Sequence, residues 1–492
     1  MKRFLFCFFA TTICFTTSVA VAFCEKADAN ATHLKVVQTN IEINGKSAPV
    51  YKIEVPGDSE ALYKTEGDCF NVVVENHTSV PTTLHWHGLI DPVLEDGVAY
   101  VTQAPIPPGQ SQGYNFKVVQ AGTFWMHTHY GLQEQLLLSA PLILLPKEKS
   151  PHREIIAFFE GFTFKSIDEV WQNLRKEYVK KRKIEGEGWK PNLTPKMSKY
   201  MPNTLNDVNF DVFLTNRRSL KDPDVQIVEP GETVRLRLIN GSVSSGLHID
   251  LGLLEGEMIA VDGADIEPIS HSHFPLAVAQ RTDVLVKIPK EGGAFPIFAQ
   301  SEGTNQRTGL ILKTKDVKLP QFSSKARSTV GAISNDIEKE LRAKDPLKPR
   351  EVNRSIDVEL QGNMKYYVWG INGHVWPNDE YLAVKEGERV ELVFTNKTAM
   401  AHPMHLHGHV FEVVEIDGNR FSGAVRDTIL VMPNQTVKVQ FDANNPGVWA
   451  LHCHISYHGW AGMFTVVKYE DYKRPQFPHE VIMDYFRRYG GY

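Results

Sequence analysis

One short pattern occurs three times along the chain, and that repetition restricts the fold more than any other feature. Gly67-Asp68 precedes Phe70, Val72 and Val74 and the unit ends at Asn76. Gly231-Glu232 precedes Val234, Leu236 and Leu238 and ends at Asn240, while Gly387-Glu388 precedes Val390, Leu392 and Phe394 and ends at Asn396. The offsets are identical. Each unit reads as a turn feeding a strand of period two with a single apolar face. Such a face is buried against a second sheet, so the pattern predicts an antiparallel β-sandwich of Greek-key type for each repeat. The 492 residues suit that number, since a domain takes about 150. The expected fold class is all-β, with three consecutive sandwiches.

Chemistry-bearing residues gather in the first and third repeats. Near the C-terminus stands His452-Cys453-His454-Ile455-Ser456-Tyr457-His458-Gly459-Trp460-Ala461-Gly462-Met463. Successive side chains of a strand face opposite ways, so His452 and His454 project to one side and Cys453 to the other. A thiolate, two imidazoles and a methionine are the ligand set of a blue electron-transfer copper, and Cys453, His458 and Met463 supply three of these. The fourth comes from His402-Pro403-Met404-His405-Leu406-His407-Gly408-His409, where His405 and His407 share parity and His402 faces the opposite side, toward Cys453. Two further pairs, His85-Trp86-His87 and His127-Thr128-His129, each present two imidazoles on one face. A lone His-X-His is common in ordinary structural settings. Here four such pairs occur, the last with the cysteine embedded in it. Together they give a set of eight histidines, wired to a copper on Cys453 through the backbone to His452 and His454.

These motifs resemble those of the multicopper oxidases, the laccases, ascorbate oxidases and bacterial copper-resistance oxidases, and the likeness spans essentially the whole exported chain. It implies cupredoxin-like domains at residues 30–150, 151–320 and 350–470, followed by a C-terminal tail at 471–492. It further implies four coppers per chain. His85 and His405 match the ligands of a type 2 copper. His87, His127 and His454 match one type 3 copper, and His129, His407 and His452 the other. His402, Cys453 and His458 match the type 1 ligands, with Met463 axial. Because the motifs avoid the middle repeat, the cluster is expected between domains 1 and 3, with domain 2 as a spacer. Leu94-Glu95-Asp96-Gly97 resembles the family segment whose aspartate lies beside the cluster, so Asp96 is the expected proton donor. One departure stands out: the carboxylate that many members carry within or just after the His-Cys-His segment is replaced here by Ser456, Tyr457 and Gly459. A second proton route is left without an obvious donor.

Between the domains the sequence turns helical. Ser166-Ile167-Asp168-Glu169 is a capping box, followed by Val170, Trp171, Leu174, Tyr178 and Val179 on a helical spacing and by the basic run Lys180 to Lys183. This helical insertion near 166–183 is expected on the surface, with a second stretch at Ile337 to Arg342. At the start, Met1-Lys2-Arg3, an apolar run and Ala20-Val21-Ala22 form a secretory signal peptide at residues 1–22. Export is expected, to the periplasm or alternatively as a secreted protein. No other segment reaches the roughly 20 apolar residues of a membrane span, so none is expected after cleavage. Cys7 and Cys14 leave with the leader, and Cys24 and Cys69 are then free to pair in an oxidising compartment. The formal charge of -5 offers no basic patch for nucleic acid.

The functional expectation is an oxidase that couples one-electron oxidation of a small reductant to the four-electron reduction of O2, acting as a monomer, with Cys453 and His458 at the electron entry. Among 11 scattered methionines, only Met197 and Met201 approach a cluster. Thioether would suit Cu(I), so its scarcity tilts the expectation toward phenols and aromatic amines reaching the edge of His458. Oxidation of Cu(I) or Fe(II) is the alternative, and copper storage without turnover is the alternative of another class.

Overall fold

The computed structural model describes residue 24 and residues 30–186, 188–194, 205–378 and 380–490; the leader and the Met197/Met201 pair lie outside the described residues. Six sheets pair into three β-sandwiches. In the first, Lys46–Glu54, Thr32–Ile43, Val72–Asn76 and Ser111–Tyr114 form one sheet, and Leu62–Thr65, Ser139–Leu145, Gly122–His127 and His85–His87 form the other. Between them Leu34, Val36, Val72 and Val74 meet Trp86, Phe124, Met126 and Leu142 in one core. Each such side chain contributes about 1.5–3 kcal/mol by leaving water, which is what holds the layers together. The second sandwich pairs sheets of six and five strands, the third sheets of seven and five.

The repeated units are the strands Val72–Asn76, Thr233–Asn240 and Arg389–Asn396. Their alternate residues are buried as the pattern requires, from Phe70, Val72 and Val74 to Val390, Leu392 and Phe394. Gly67, Gly231 and Gly387 all have φ between 82° and 88°, the left-handed turn that a side chain disfavours. The closing asparagine has the same task in every repeat. Asn76 donates to the carbonyls of Val80 and Ile106 and accepts from Thr78 N. Asn240 does so with Ser245, Leu276 and Ser242, and Asn396 with Met400, Val431 and Thr398. A buried amide thereby satisfies the polar backbone where the strand leaves the sheet. One feature departs from the purely antiparallel expectation: each repeat strand pairs in parallel with the first strand of its own domain, as in Leu34 opposite Val74 and Val358 opposite Phe394.

The capping box opens helix α1, Ile167–Glu185, where Ser166 Oγ accepts from Glu169 N. Arg175 of α1 is buried, lies over the Tyr178 ring at 3.9 Å and donates to the Tyr367 carbonyl, so the helix is pinned to the third domain. The stretch expected to be helical at 337–342 is only one 3-10 turn, Asp336–Lys339, because Glu338 is drawn into a buried ion pair with Arg426. Helix α2, Ser456–Trp460, follows the cysteine strand. The residues expected as a tail form helix α3, His479–Gly490, whose Tyr485 and Phe486 are buried against Trp460 and Tyr130. Cys24 and Cys69 are joined in a disulfide. No helix among the described residues is long and apolar enough to cross a membrane.

Candidate metal centres

Strand pairing brings the motifs together. His85 pairs with His127 across one ladder and His405 with His452 across another, while Met404 stands opposite Cys453. Parity then sorts the side chains as the sequence predicts. On one side, Cys453 Sγ lies 3.5 Å from His402 Nδ1 and 3.7 Å from His458 Nδ1, and the two nitrogens are 3.1 Å apart. Helix α2 turns the chain back after Ile455, which is what returns His458 to Cys453. Met463 is fully buried at the same place, its backbone bonded to Cys453 N and His458 O. Burial pushes the Cys453 thiol well up, so a thiolate there needs a cation to hold it.

Eight histidines converge on the other side of the strand. His87, His127 and His454 form one group of ligand nitrogens, and His85 joins two others, with His87 and His405 and with His129 and His407. His452 enters through His407, their Nε2 atoms 3.0 Å apart, much as two nitrogens bound at about 2 Å to one ion would be. Burial, with neighbouring imidazoles adding to it, holds His87, His127, His129, His407 and His454 well below the ordinary range, and His452 falls to about 3. These rings are neutral at pH 7, the form that ligates a metal.

The outer partners decide which nitrogen each ring offers. Nδ1 of His85 donates to the Asp96 carbonyl, that of His405 to the Asp427 carbonyl and that of His407 to Asp96 Oδ1. Nε2 is thus left facing inward, and for His85 and His405 it has no hydrogen-bond partner among the described residues. His87 is reversed: Nε2 lies 3.2 Å from Asp427 Oδ1, and Nδ1 is the unpartnered atom. Buried nitrogens without partners would be costly unless a metal completes them, so the donor set fits copper ions.

Three carboxylates border the cluster. Asp96 is fully buried and bridges His85 and His407. Asp427 lies beside His87; burial alone would raise its carboxyl, but Arg281 and His87 hold it well below the usual range. Glu134 was missed. It accepts from Ser456 Oγ at 2.6 Å and lies 3.9 Å from His127 Nδ1, and burial pushes its carboxyl up to about 8. It comes from domain 1, just past the His127-Thr128-His129 motif, and fills the place left by the missing carboxylate near His454. A small cavity of about 70 Å³ is lined by His127, His129, His452, His454, Glu134 and, from α3, Tyr485 and Phe486.

At the electron-entry side the expectation of an open histidine edge is corrected. His458 is fully buried, its Nε2 lies 2.7 Å from Asp207 Oδ2, and the Tyr367 hydroxyl donates to the same oxygen. Asp207 carries no recognisable sequence signal, sitting in a polar connection before the strand Val212–Thr215. It faces a cavity of about 250 Å³ lined also by Leu174, Lys176 and Glu177 of α1 and by Met364, Lys365 and Tyr367.

Models of the multicopper oxidase family match residues 35–149, 171–316 and 349–473. The chain belongs to the multicopper oxidases. It is 32% identical to multicopper oxidase MmcO of Mycobacterium tuberculosis, over 86% of this chain and 83% of that one. It is 28% identical to a copper resistance protein A homolog of Pseudomonas syringae pv. tomato, over 88% and 91%. The laccase from Botrytis aclada has the same fold, with TM-score 0.74 at 22% identity over 93% of this chain and 90% of that one.

Proposed function

We propose that the chain binds four coppers and couples the oxidation of a small reductant at His458 to the reduction of O2 to water at the histidine cluster. The observation that carries this reading is Cys453, whose sulfur sits between His402 and His458 while its neighbours His452 and His454 enter the cluster. In this assignment His402, Cys453, His458 and axial Met463 hold the type 1 copper. His85 and His405 hold type 2. His87, His127 and His454 hold one type 3 ion and His129, His407 and His452 the other. Bound copper supplies four one-electron centres, the number that O2 needs to become two waters. The chain's own residues orient the imidazoles, exclude bulk water, hold a proton at Glu134 and place Asp96 beside the cluster as a proton relay.

For the reductant, a phenol or aromatic amine remains the favoured class, but through a different contact. It would dock in the cavity under α1 and give its proton to Asp207, whose Oδ1 has no hydrogen-bond partner among the described residues, as its electron passes to His458. Asp207, Glu177 and Met364 on the same cavity favour a second reading in which Cu(I) or Fe(II) is held there instead. Measured side by side, kcat/KM for a methoxyphenol, Cu(I) and Fe(II) decides between them. Copper bound without oxygen uptake under any of these would leave only storage. Export is part of the proposal and is supported by the Cys24–Cys69 disulfide, a bond of oxidising compartments. Fractionation of the expressing cell tests it.

A further inference from the structure

Domain 2 carries no copper motif, yet its charges reach the cluster. Arg281, on the strand Arg281–Lys287 of domain 2, is fully buried. Its guanidinium grips both carboxylate oxygens of Asp427 from domain 3, at 2.8 Å and 2.5 Å. Through Nε it also donates to the Thr123 carbonyl of domain 1 at 3.1 Å. Asp262, again from domain 2, accepts from Arg281 N and pairs with Arg426 Nη1. Gln280 adds a bond to the Thr428 carbonyl. Gly88 belongs to the same packing: at φ +87° any side chain on it would run into Asp427 and Arg281. All three domains therefore meet in one buried ion network, directly behind two cluster histidines.

We propose that Arg281 is a positioning residue for the cluster: by clamping Asp427 it fixes His87 so that Nδ1, rather than Nε2, faces the metal. The reasoning is geometric. Asp427 Oδ1 faces His87 Nε2 at 3.2 Å, while the backbone carbonyl of the same residue takes the proton of His405 Nδ1 at 2.9 Å. One residue thus sets the inward nitrogen of two ligands from different domains, and the planar fork of Arg281 sets that residue. A lysine could match the charge but not the paired grip. Domain 2 is then more than a spacer, since it helps determine the ring orientation on which the metal site depends.

The inference rests on the four-copper reading, and the experiment separates the two. Copper per chain, the type 2 electron paramagnetic signal, the near-ultraviolet absorption of the type 3 pair and the blue absorption are measured for the parent, R281K and R281M. A parent without four coppers sinks the reading itself. With four in the parent, R281M is expected to keep the blue band, because the type 1 ligands are not touched, but to lose about one copper and to show altered cluster signals. R281K should fall between. Four coppers with parental signals in R281M would overturn the inference. If R281M does not fold, the double variant R281M/D427L, which leaves neither charge unpaired, is read in the same way: a full cluster overturns the role of the pair, and a blue, copper-deficient protein supports it.

Discussion

In the proposed reading, Cys453 is the residue on which electron entry depends. With His402 and His458 within 3.7 Å of its sulfur, Cys453→Ser is expected to remove the intense blue band and stop substrate oxidation while the eight cluster histidines keep their copper. Absorption and copper content check this together; a variant that remains blue would refute the assignment. On the proton side, Asp96→Ala and Glu134→Gln should each slow reoxidation by O2 more than reduction of the type 1 centre. Stopped-flow traces of both half-reactions separate the two. Burial raises Glu134 to about 8, so it is protonated below that pH and loses its proton above it. Reoxidation in the parent should therefore fall as pH rises through 8, and Glu134→Gln should flatten the profile. An unchanged profile in the variant would remove Glu134 from the path. The carboxylate was findable in principle, since Gln133-Glu134-Gln135 closes the second histidine motif, but no spacing says that it folds back on Ser456.

At the scale of elements, the repeat strand and its closing asparagine are a unit. Asn240→Ala would strip partners from two buried carbonyls and from Ser242 N. A loss of about 1–3 kcal/mol is expected from the unpaired groups, read as a lower denaturation midpoint at constant m. Stability equal to the parent would show that other groups replace the clamp. Helix α3 closes the small cavity behind the cluster with Tyr485 and Phe486, and Tyr485 Oη accepts from Gly131 N. Ending the chain at 478 should speed the removal of copper by a chelator while leaving the blue band, which lies on the other face of the strand. Equal rates of copper loss would mean that the helix does not limit access.

For the whole molecule, the neutral histidine cluster makes the copper-free protein sensitive to acid. Burial, and among the cluster rings their neighbours, depress these residues: His452 falls to about 3 and the non-ligand His409 to about 4. Once pH drops below the unfolded value near 6.5 the unfolded chain binds protons that the folded chain refuses, so stability is present above that value and is lost as pH falls toward the folded ones. Each such histidine adds about 1.4 kcal/mol per pH unit to the slope. Denaturant titrations of the copper-free protein from pH 7 to 4 should show this steep loss, and bound copper should lessen it; a flat profile would contradict neutral burial.

What the sequence determined by itself is whatever repeats locally along the chain. Period two and a fixed turn-to-asparagine offset specify the three sandwiches, and residue parity alone divides His402 and Cys453 from His452 and His454, because both follow from the geometry of a single strand. The capping box placed α1 for the same reason. Asp207, Asp427, Arg281 and Glu134 became functional only in the tertiary structure. Each makes a contact across a domain boundary with a residue remote in sequence, Asp427 with His87, Asp207 with His458, Arg281 with Asp427 and Glu134 with Ser456. Such contacts depend on how finished sheets dock, and that docking leaves no period or spacing in the chain.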